Sequence, residues 1–367
     1  MSTLERRSET IVIGAGQAGL ATGYHLAQHG MPFTILDAGE RVGDGWRNRW
    51  DSLVLFTPAR YSSLPGMPFP AEPDHFPTRL EMADYLESYT ANFELPVQLG
   101  VRATGVAAAS DGFVVNTSRG PFHASHVVVA TGAFPSKHVP AFARELDRKI
   151  HQLHSSAYQK PNQLPPGDVL VVGAASSGTQ IALDLAAGRK VWLAGKSAPF
   201  VPNKILGFSV FGLLTRTLFR VPVTTAPGRR IARALQAKGY PIVGHQPDEV
   251  EQSGIARVPR VTGVQDGLPK LENGRTLRPE VVIWATGFDY DYNWIDLPVF
   301  DQEGMPRQVR GVVDDAPGLY FIGLPFMYRG LSGVITGAGG DAAYITRHIL
   351  ERTVKVGRRA AESLQPA

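Results

Sequence analysis

The feature that most limits how this chain can fold is a glycine turn that occurs twice. "TIVIGAGQAG" at 10–19 and "VLVVGAASSG" at 169–178 each run a short apolar β-forming stretch into a glycine, then into small residues that open a helix. A strand, a glycine turn, a helix and a second strand make the opening of a parallel dinucleotide-binding unit. In the first unit Gly14, Gly16 and Gly19 fill the G-x-G-x-x-G pattern, and Gln17 opens the helix. Gly14 permits the tight turn, Gly16 lets the backbone approach a pyrophosphate, and Gly19 lets helix and strand pack closely. The helix N-terminus adds partial positive charge for the phosphates. "PFTILDAG" is the second strand, and Asp37 lies 23 residues past Gly14 (37 − 14), where a carboxylate accepts from a ribose hydroxyl.

The second turn departs from the pattern. Gly173 and Gly178 keep the first and third positions, but Ala175 holds the second, followed by Ser176 and Ser177. Ser177 can donate a hydroxyl to phosphate. The Ala175 methyl crowds a diphosphate and restricts positive φ, so weakened or displaced binding is expected. Counting the same 23 residues from Gly173 reaches Lys196 (196 − 173), which cannot accept from a ribose hydroxyl but can pair with a 2′-phosphate. The two units thus want different adenosines, and FAD in the first with NADPH in the second fits.

The expected fold class is α/β, with two dinucleotide-binding Rossmann-like domains, the NADPH domain inserted in the FAD domain. "EVVIWATGF" repeats the sense of "HVVVATGAF", and "LYFIGLPF" is one more buried strand before a terminal helix at 341–352. "PNQLPP" at 161–166 marks a boundary, giving 1–160 for the first FAD segment, 161–280 for the NADPH domain and 281–367 for the second FAD segment. Residues 41–95, rich in Pro, Gly and aromatics, read as a long excursion over a cofactor rather than regular structure. "ILGFSVFGLL" at 205–214 is too short to span a bilayer; with "TRTLFR" following, it suits a core helix or an amphipathic substrate lid, with an interfacial patch as the alternative.

Composition narrows the function. With 43% hydrophobic and 19% charged residues the chain is globular, and a net charge of +4 suits anionic small molecules. No Lys/Arg cluster interleaved with aromatics marks a nucleic-acid partner. The chain has no cysteine, which excludes disulfides, thiolate zinc sites and a redox-active dithiol. No histidine shows ligand spacing, so no metal is expected. The polar start "MSTLERRSET" and the lack of a transmembrane segment lead to a cytoplasmic expectation.

"GDGWRNRWDSLVLFTPARYSSLPGMPFP", followed by "HFPTRLEMADYLESY", resembles the class B flavin-dependent monooxygenases. Within that class the chain resembles the bacterial flavoproteins labelled as involved in potassium transport. It is also similar to the plant YUCCA flavin monooxygenases, which convert indole-3-pyruvate to indole-3-acetate. The likeness extends over both ATG elements (Ala130–Gly132 and Ala285–Gly287) and the stretch from "GLYFIGLPF" to "GGDAAY".

The family signature F-x-G-x-x-x-H-S-x-x-Y is half present: His154, Ser155 and Tyr158 match, while Arg148 and Ile150 replace the Phe and Gly. Tyr158 stands where Baeyer–Villiger enzymes carry Trp, and Thr57 with Pro58 stands where animal flavin monooxygenases place an asparagine. The resemblance implies that NADPH reduces FAD, that reduced flavin traps dioxygen as a hydroperoxide, and that this oxygenates a small organic substrate. Catalysis is then flavin-centred, with no catalytic side chain of its own and with His154, Tyr158 and Thr57 in support. Trp46 and Arg47 match the family's flavin-adjacent GxWR, Gly132 belongs to its first ATG element, and Asp341 of "GGD" is placed near the flavin ribityl or diphosphate. His154 reads as a structural hydrogen-bonder rather than as a proton carrier. Two other functions share this layout: a flavin oxidoreductase passing electrons without oxygen insertion, and a non-enzymatic flavoprotein. Oligomer formation is compatible with either.

Overall fold

A computed structural model describes residues 6–132, 136–196, 199–202, 204–205, 208–238, 242–243 and 247–363. The strand Arg6–Ile13 runs from exposed arginines into a buried Ile11-Val12-Ile13 end, and the chain turns at Gly14 into the helix Gln17–Gln28. That helix buries Ala18, Gly19, Ala21 and Gly23, small residues that let it lie close on the sheet. A Cβ at Gly23 would come within 2.8 Å of Ile35.

The first sheet has eight strands. Its order is Ile295–Asp296, Ala103–Ala109, Gly112–Thr117, Phe122–Val129, Arg6–Ile13, Phe33–Leu36 and Val97–Gln98, with Leu319–Phe321 also pairing with Phe122–Val129. Pairing is parallel except in the meander from Ala103 to Val129. The second sheet is parallel throughout, in the order Ala256–Val258, Val191–Ala194, Val169–Val172, Val281–Trp284, His151–His154. Its central strand Val169–Val172 is buried along its whole length, as a two-sided parallel strand must be. Because the first sheet resumes at Ile295, the second unit is inserted in the first, as expected.

The expected boundaries at 160 and 280 nevertheless cut through the second sheet. Val281–Trp284 pairs on one side with Val169–Val172 and on the other with His151–His154. As a sheet unit it runs from 151 to 284; the Pro161–Pro166 loop is a connection within it.

Two further expectations are corrected. The 41–95 stretch holds a regular helix, Arg79–Asn92, with a full capping box: Glu81 N–H donates to the Thr78 side chain and Thr78 N–H to the Glu81 carboxylate. Met82, Tyr85, Leu86 and Tyr89 form its buried stripe. The terminal helix spans Ile335–Ser363, starting six residues before Asp341 (341 − 335). Its glycines fit close neighbours; a Cβ at Gly337 would overlap the Leu331 carbonyl, and one at Gly339 would lie 2.6 Å from Pro65. Among the described residues no helix is long and apolar enough to cross a membrane, and no group of three or more His, Asp or Glu could hold a metal.

His126 lies buried under the terminal helix, its Nε2 3.1 Å from the Thr353 hydroxyl. Burial, with Arg352 and His348 nearby, pulls its pKa down to about 4. The unfolded chain therefore binds more protons than the fold between about pH 6.5 and 4, and stability falls with pH through that window. The expected loss from this one group is about 3 kcal/mol. Thermal melts from pH 7.5 to 4.5 test it: His126→Gln should flatten the fall, and a slope equal to wild type would refute the assignment.

Candidate functional site

The two glycine turns are built alike. Gly14 has φ +111° and Gly173 φ +109°, a region glycine alone enters freely. Gly14 N–H donates to the Leu36 carbonyl at 2.7 Å, and Gly173 N–H to the Ala194 carbonyl at 2.9 Å. Each turn is roofed by an ATG element: Ala130 N–H bonds the Ile13 carbonyl and Ala285 N–H the Val172 carbonyl, both at 2.8 Å. A Cβ at Gly14 would lie 2.6 Å from the Ala130 carbonyl oxygen, and one at Gly173 would overlap that of Ala285. A Cβ at Gly19 would overlap the Gly14 carbonyl, and one at Gly178 the Gly173 carbonyl.

Position two differs less than the sequence suggests. Gly16 has φ −77° and ψ −177°, and Ala175 has φ −86° and ψ −172°, both extended backbone open to any residue. The expected conformational restriction at Ala175 is therefore absent. A Cβ at Gly16 would meet nothing within 4 Å, and Ala175 is exposed, so the face in front of each turn is open. Neither helix has a side-chain cap at its N-terminus, unlike the helix Arg79–Asn92. Uncapped backbone N–H groups beside an open glycine turn suit a phosphate. Gln17 is half-buried at the first helix's start, and Ser176 and Ser177 lie at the second's.

The strand ends separate the two units. Asp37 Oδ2 accepts from Ala15 N–H at 2.6 Å and Oδ1 from Gly39 N–H at 2.7 Å. Each oxygen keeps a further lone pair, so the carboxylate braces the turn and has capacity to accept another hydrogen bond. Strand registers pair Ile13 with Leu36 and Val172 with Ala194. The counterpart of Asp37 is thus Gly195, at φ +117°, and Lys196 is one residue further and exposed. Counting along the sequence overshoots by one, because the second helix has 11 residues against 12.

Other expected site residues are tied into the protein. Arg47 donates to the Val42 carbonyl, to Asp84 at 2.7 Å and to Glu87 at 3.0 Å, fastening the short helix Asp44–Arg47 to Arg79–Asn92. Its two terminal nitrogens are engaged there. Trp46 is half-buried and packs on the core. Thr57 is buried, its hydroxyl 2.9 Å from that of Ser62. Tyr158 is fully buried and donates to Asp184 Oδ2 at 2.6 Å. His154 Nδ1 accepts from Ser156 N–H at 3.1 Å, so its Nε2–H donates to the Gly287 carbonyl at 2.9 Å. Burial lowers its pKa, helped by Lys137, Arg49 and His138, which keeps it neutral as a brace for the second ATG turn. Gly132, at φ +78°, has open space where a Cβ would be. Asp341 lies two turns into its helix, not at the N-terminus. It is buried, its Oδ1 is 3.8 Å from Arg310 Nε, and its Oδ2 has no hydrogen-bond partner. Burial raises its pKa.

Sequence reasoning missed the contacts that join the units. Gln180 Nε2 donates to the Val54 carbonyl at 3.1 Å, Asp51 N–H to the Gln159 carbonyl at 2.7 Å, and the Arg49 guanidinium lies 5.8 Å from the Phe288 ring centre. The stretch expected as a core helix or lid holds the helix Val210–Arg216; of 205–214, residues 206 and 207 lie outside the described residues. A cavity of about 390 Å³ lined by Arg7, Glu9, Asp111 and His123 lies at the opposite strand ends from the glycine turns. Open parallel sheets bind ligands at the carboxyl ends of their strands, which makes the turns rather than that cavity the candidate site.

A family profile described as pyridine nucleotide-disulphide oxidoreductase matches residues 11–204. The CzcO-like oxidoreductase of Geobacillus kaustophilus is 42% identical over 93% of this chain and 98% of its own length. The probable indole-3-pyruvate monooxygenase YUCCA3 of Arabidopsis thaliana is 29% identical over 93% of this chain and 86% of its own. Among solved structures, a flavin-containing monooxygenase from Stenotrophomonas maltophilia superposes with a TM-score of 0.79 at 25% identity, covering 95% of this chain and 99% of that one. The chain belongs to the pyridine nucleotide-disulphide oxidoreductase family and, within it, to the class B flavin-dependent monooxygenase group of enzymes.

Proposed function

We propose that this enzyme is an FAD- and NADPH-dependent monooxygenase. It would oxygenate a small organic substrate, by heteroatom oxidation or by oxidative decarboxylation of a 2-oxo acid. The observation that carries the reading is the pair of matched, open and uncapped glycine turns, one ending in a carboxylate and the other in glycine and lysine. Gly14, Gly16, Gln17, Gly19 and Gly132 would cradle the FAD diphosphate, and Asp37 would take the adenosine ribose. Trp46 would flank that site, and Asp341, with its unpartnered Oδ2, would accept a ribityl hydroxyl. Gly173, Ala175, Ser176, Ser177 and Gly178 would hold the NADPH diphosphate, with Lys196 beside the 2′-phosphate.

When bound, flavin would supply the redox and oxygen chemistry, for which a chain without cysteine has no dithiol of its own. The side chains position and enclose. His154 and Tyr158 fix the segment that follows the strand His151–His154 to the second ATG turn and to the helix Ser176–Ala186. Tyr61 and Phe211, with ring centres 5.0 Å apart, close the lid helix on the first unit and keep water out.

The test has two parts. NADPH should bleach the bound flavin without oxygen. With oxygen and a thioether or 2-oxo acid, NADPH consumed should match product formed. Bleaching with only hydrogen peroxide formed, across both substrate classes, would indicate an oxidoreductase without oxygen insertion. Lys196→Ala should weaken NADPH about tenfold, as loss of one exposed charge-assisted contact does, and leave NADH unchanged. Equal losses for both nucleotides would remove Lys196 from the 2′-phosphate.

A further inference from the structure

The positive charge of this chain is concentrated in one stretch. Between Asp184 and Asp248 there are ten Lys and Arg and no Asp or Glu, while the remainder has 27 basic residues against 33 acidic (37 − 10 against 33 − 0). The stretch therefore carries +10 and the rest −6, which together give the net +4.

The same stretch arches from the second unit over the first. Phe211 packs against Tyr61, and a Cβ at Gly212 would overlap the Tyr61 hydroxyl. Val223 N–H donates to the Tyr328 carbonyl at 2.8 Å, and a Cβ at Gly330 would lie 2.8 Å from Phe219. The inward sides of the helices Val210–Arg216 and Ala226–Lys238 are thus used up: Phe211, Gly212, Gly228 and Ala232 are buried, as is Phe219 between them. Facing outward are Arg216, Arg220, Arg229, Arg230 and Arg233, all exposed, and Leu213, which is 62% exposed.

We propose that this outer face docks on an anionic phospholipid surface. Guanidinium groups pair with phosphate in a fork that suits lipid headgroups, and each basic residue near an anionic leaflet adds to the attraction. Leu213 decides between partners. A bare leucine among arginines has an apolar place at the headgroup–acyl boundary, whereas a nucleic-acid backbone offers it none. The six acidic charges in excess elsewhere orient the molecule, turning the arginine face toward the membrane and the rest away. Docking would place the lid, and the 326–334 loop beneath it, next to a phase in which apolar small molecules concentrate. This inference does not depend on oxygen insertion and would survive its failure.

The test is sedimentation of the flavin-loaded protein with vesicles of phosphatidylcholine alone or mixed with phosphatidylglycerol. Binding should require phosphatidylglycerol and weaken as salt rises. Arg216→Gln/Arg230→Gln/Arg233→Gln should lower vesicle affinity about a hundredfold, from roughly fivefold per charge. Leu213→Ser, at unchanged charge, should weaken it several-fold, with flavin content and melting temperature kept in both variants. No binding to the mixed vesicles, equal binding to phosphatidylcholine alone, or undiminished binding by the triple variant would overturn the proposal. So would a Leu213→Ser protein that binds as wild type while duplex DNA displaces the vesicles.

Discussion

Gly178→Ala protein is expected to purify yellow yet fail to reduce its flavin with NADPH, whereas Gly19→Ala protein is expected to lose its flavin. The reason is the same at both positions. The added methyl overlaps the carbonyl oxygen of the turn glycine, Gly173 in one unit and Gly14 in the other. That oxygen is backbone, and the strand and ATG element hold it through the hydrogen bonds on either side. The clash is relieved only by sliding the helix off the strand, which costs about 1–3 kcal/mol and tilts the N–H groups aimed at the phosphates. Affinity for the cofactor at the damaged turn should fall at least about a hundredfold, which is under 3 kcal/mol. Flavin absorbance after gel filtration and NADPH-driven bleaching under argon read the two sites separately. Flavin lost from Gly178→Ala protein but kept in Gly19→Ala protein would exchange the cofactor assignments, and full function in both would refute the turns as the site.

The turns were legible because their requirements are local. A buried strand, a glycine forced to positive φ and a glycine under a helix all lie within ten residues. What failed was what depends on length or on distant partners. Lys196 was reached by a ruler that assumed equal helices, and one residue fewer in the second unit put Gly195 at the Asp37 position. Ala175 was judged as though its place needed positive φ, when both turns are extended there. The Arg47 partners Asp84 and Glu87 were not foreseen because they lie some forty residues away on a helix hidden by its Pro- and aromatic-rich surroundings. That helix had a readable signal in Thr78 and Glu81, three apart before a periodic apolar run. The start of the terminal helix was masked by Gly337 and Gly339, which serve close packing. The second sheet's borrowed strands, 151–154 and 281–284, follow from pairing across more than a hundred residues, which no local pattern encodes.

Replacing Asp37 with alanine tests the first unit without any overlap. The carboxylate is the acceptor for two backbone N–H groups, those of Ala15 within the glycine turn and Gly39 beyond the strand. Asp37→Ala leaves both N–H groups without that partner and removes the ligand acceptor as well. Hydrogen bonds to a charged group contribute about 1.5–3 kcal/mol each, so the apoprotein should lose about 3 kcal/mol, discounting for partial solvation. FAD affinity should fall further than this bracing role predicts, because the ribose partner is also gone. The two contributions separate in melts of apo and FAD-saturated protein. Bracing alone lowers both curves equally, whereas a ribose contact also shrinks the gap between them. Asp37→Asn keeps one acceptor oxygen and should fall between alanine and wild type. An alanine variant that purifies with full flavin and keeps the wild-type gap would show that the carboxylate serves the turn and not the cofactor.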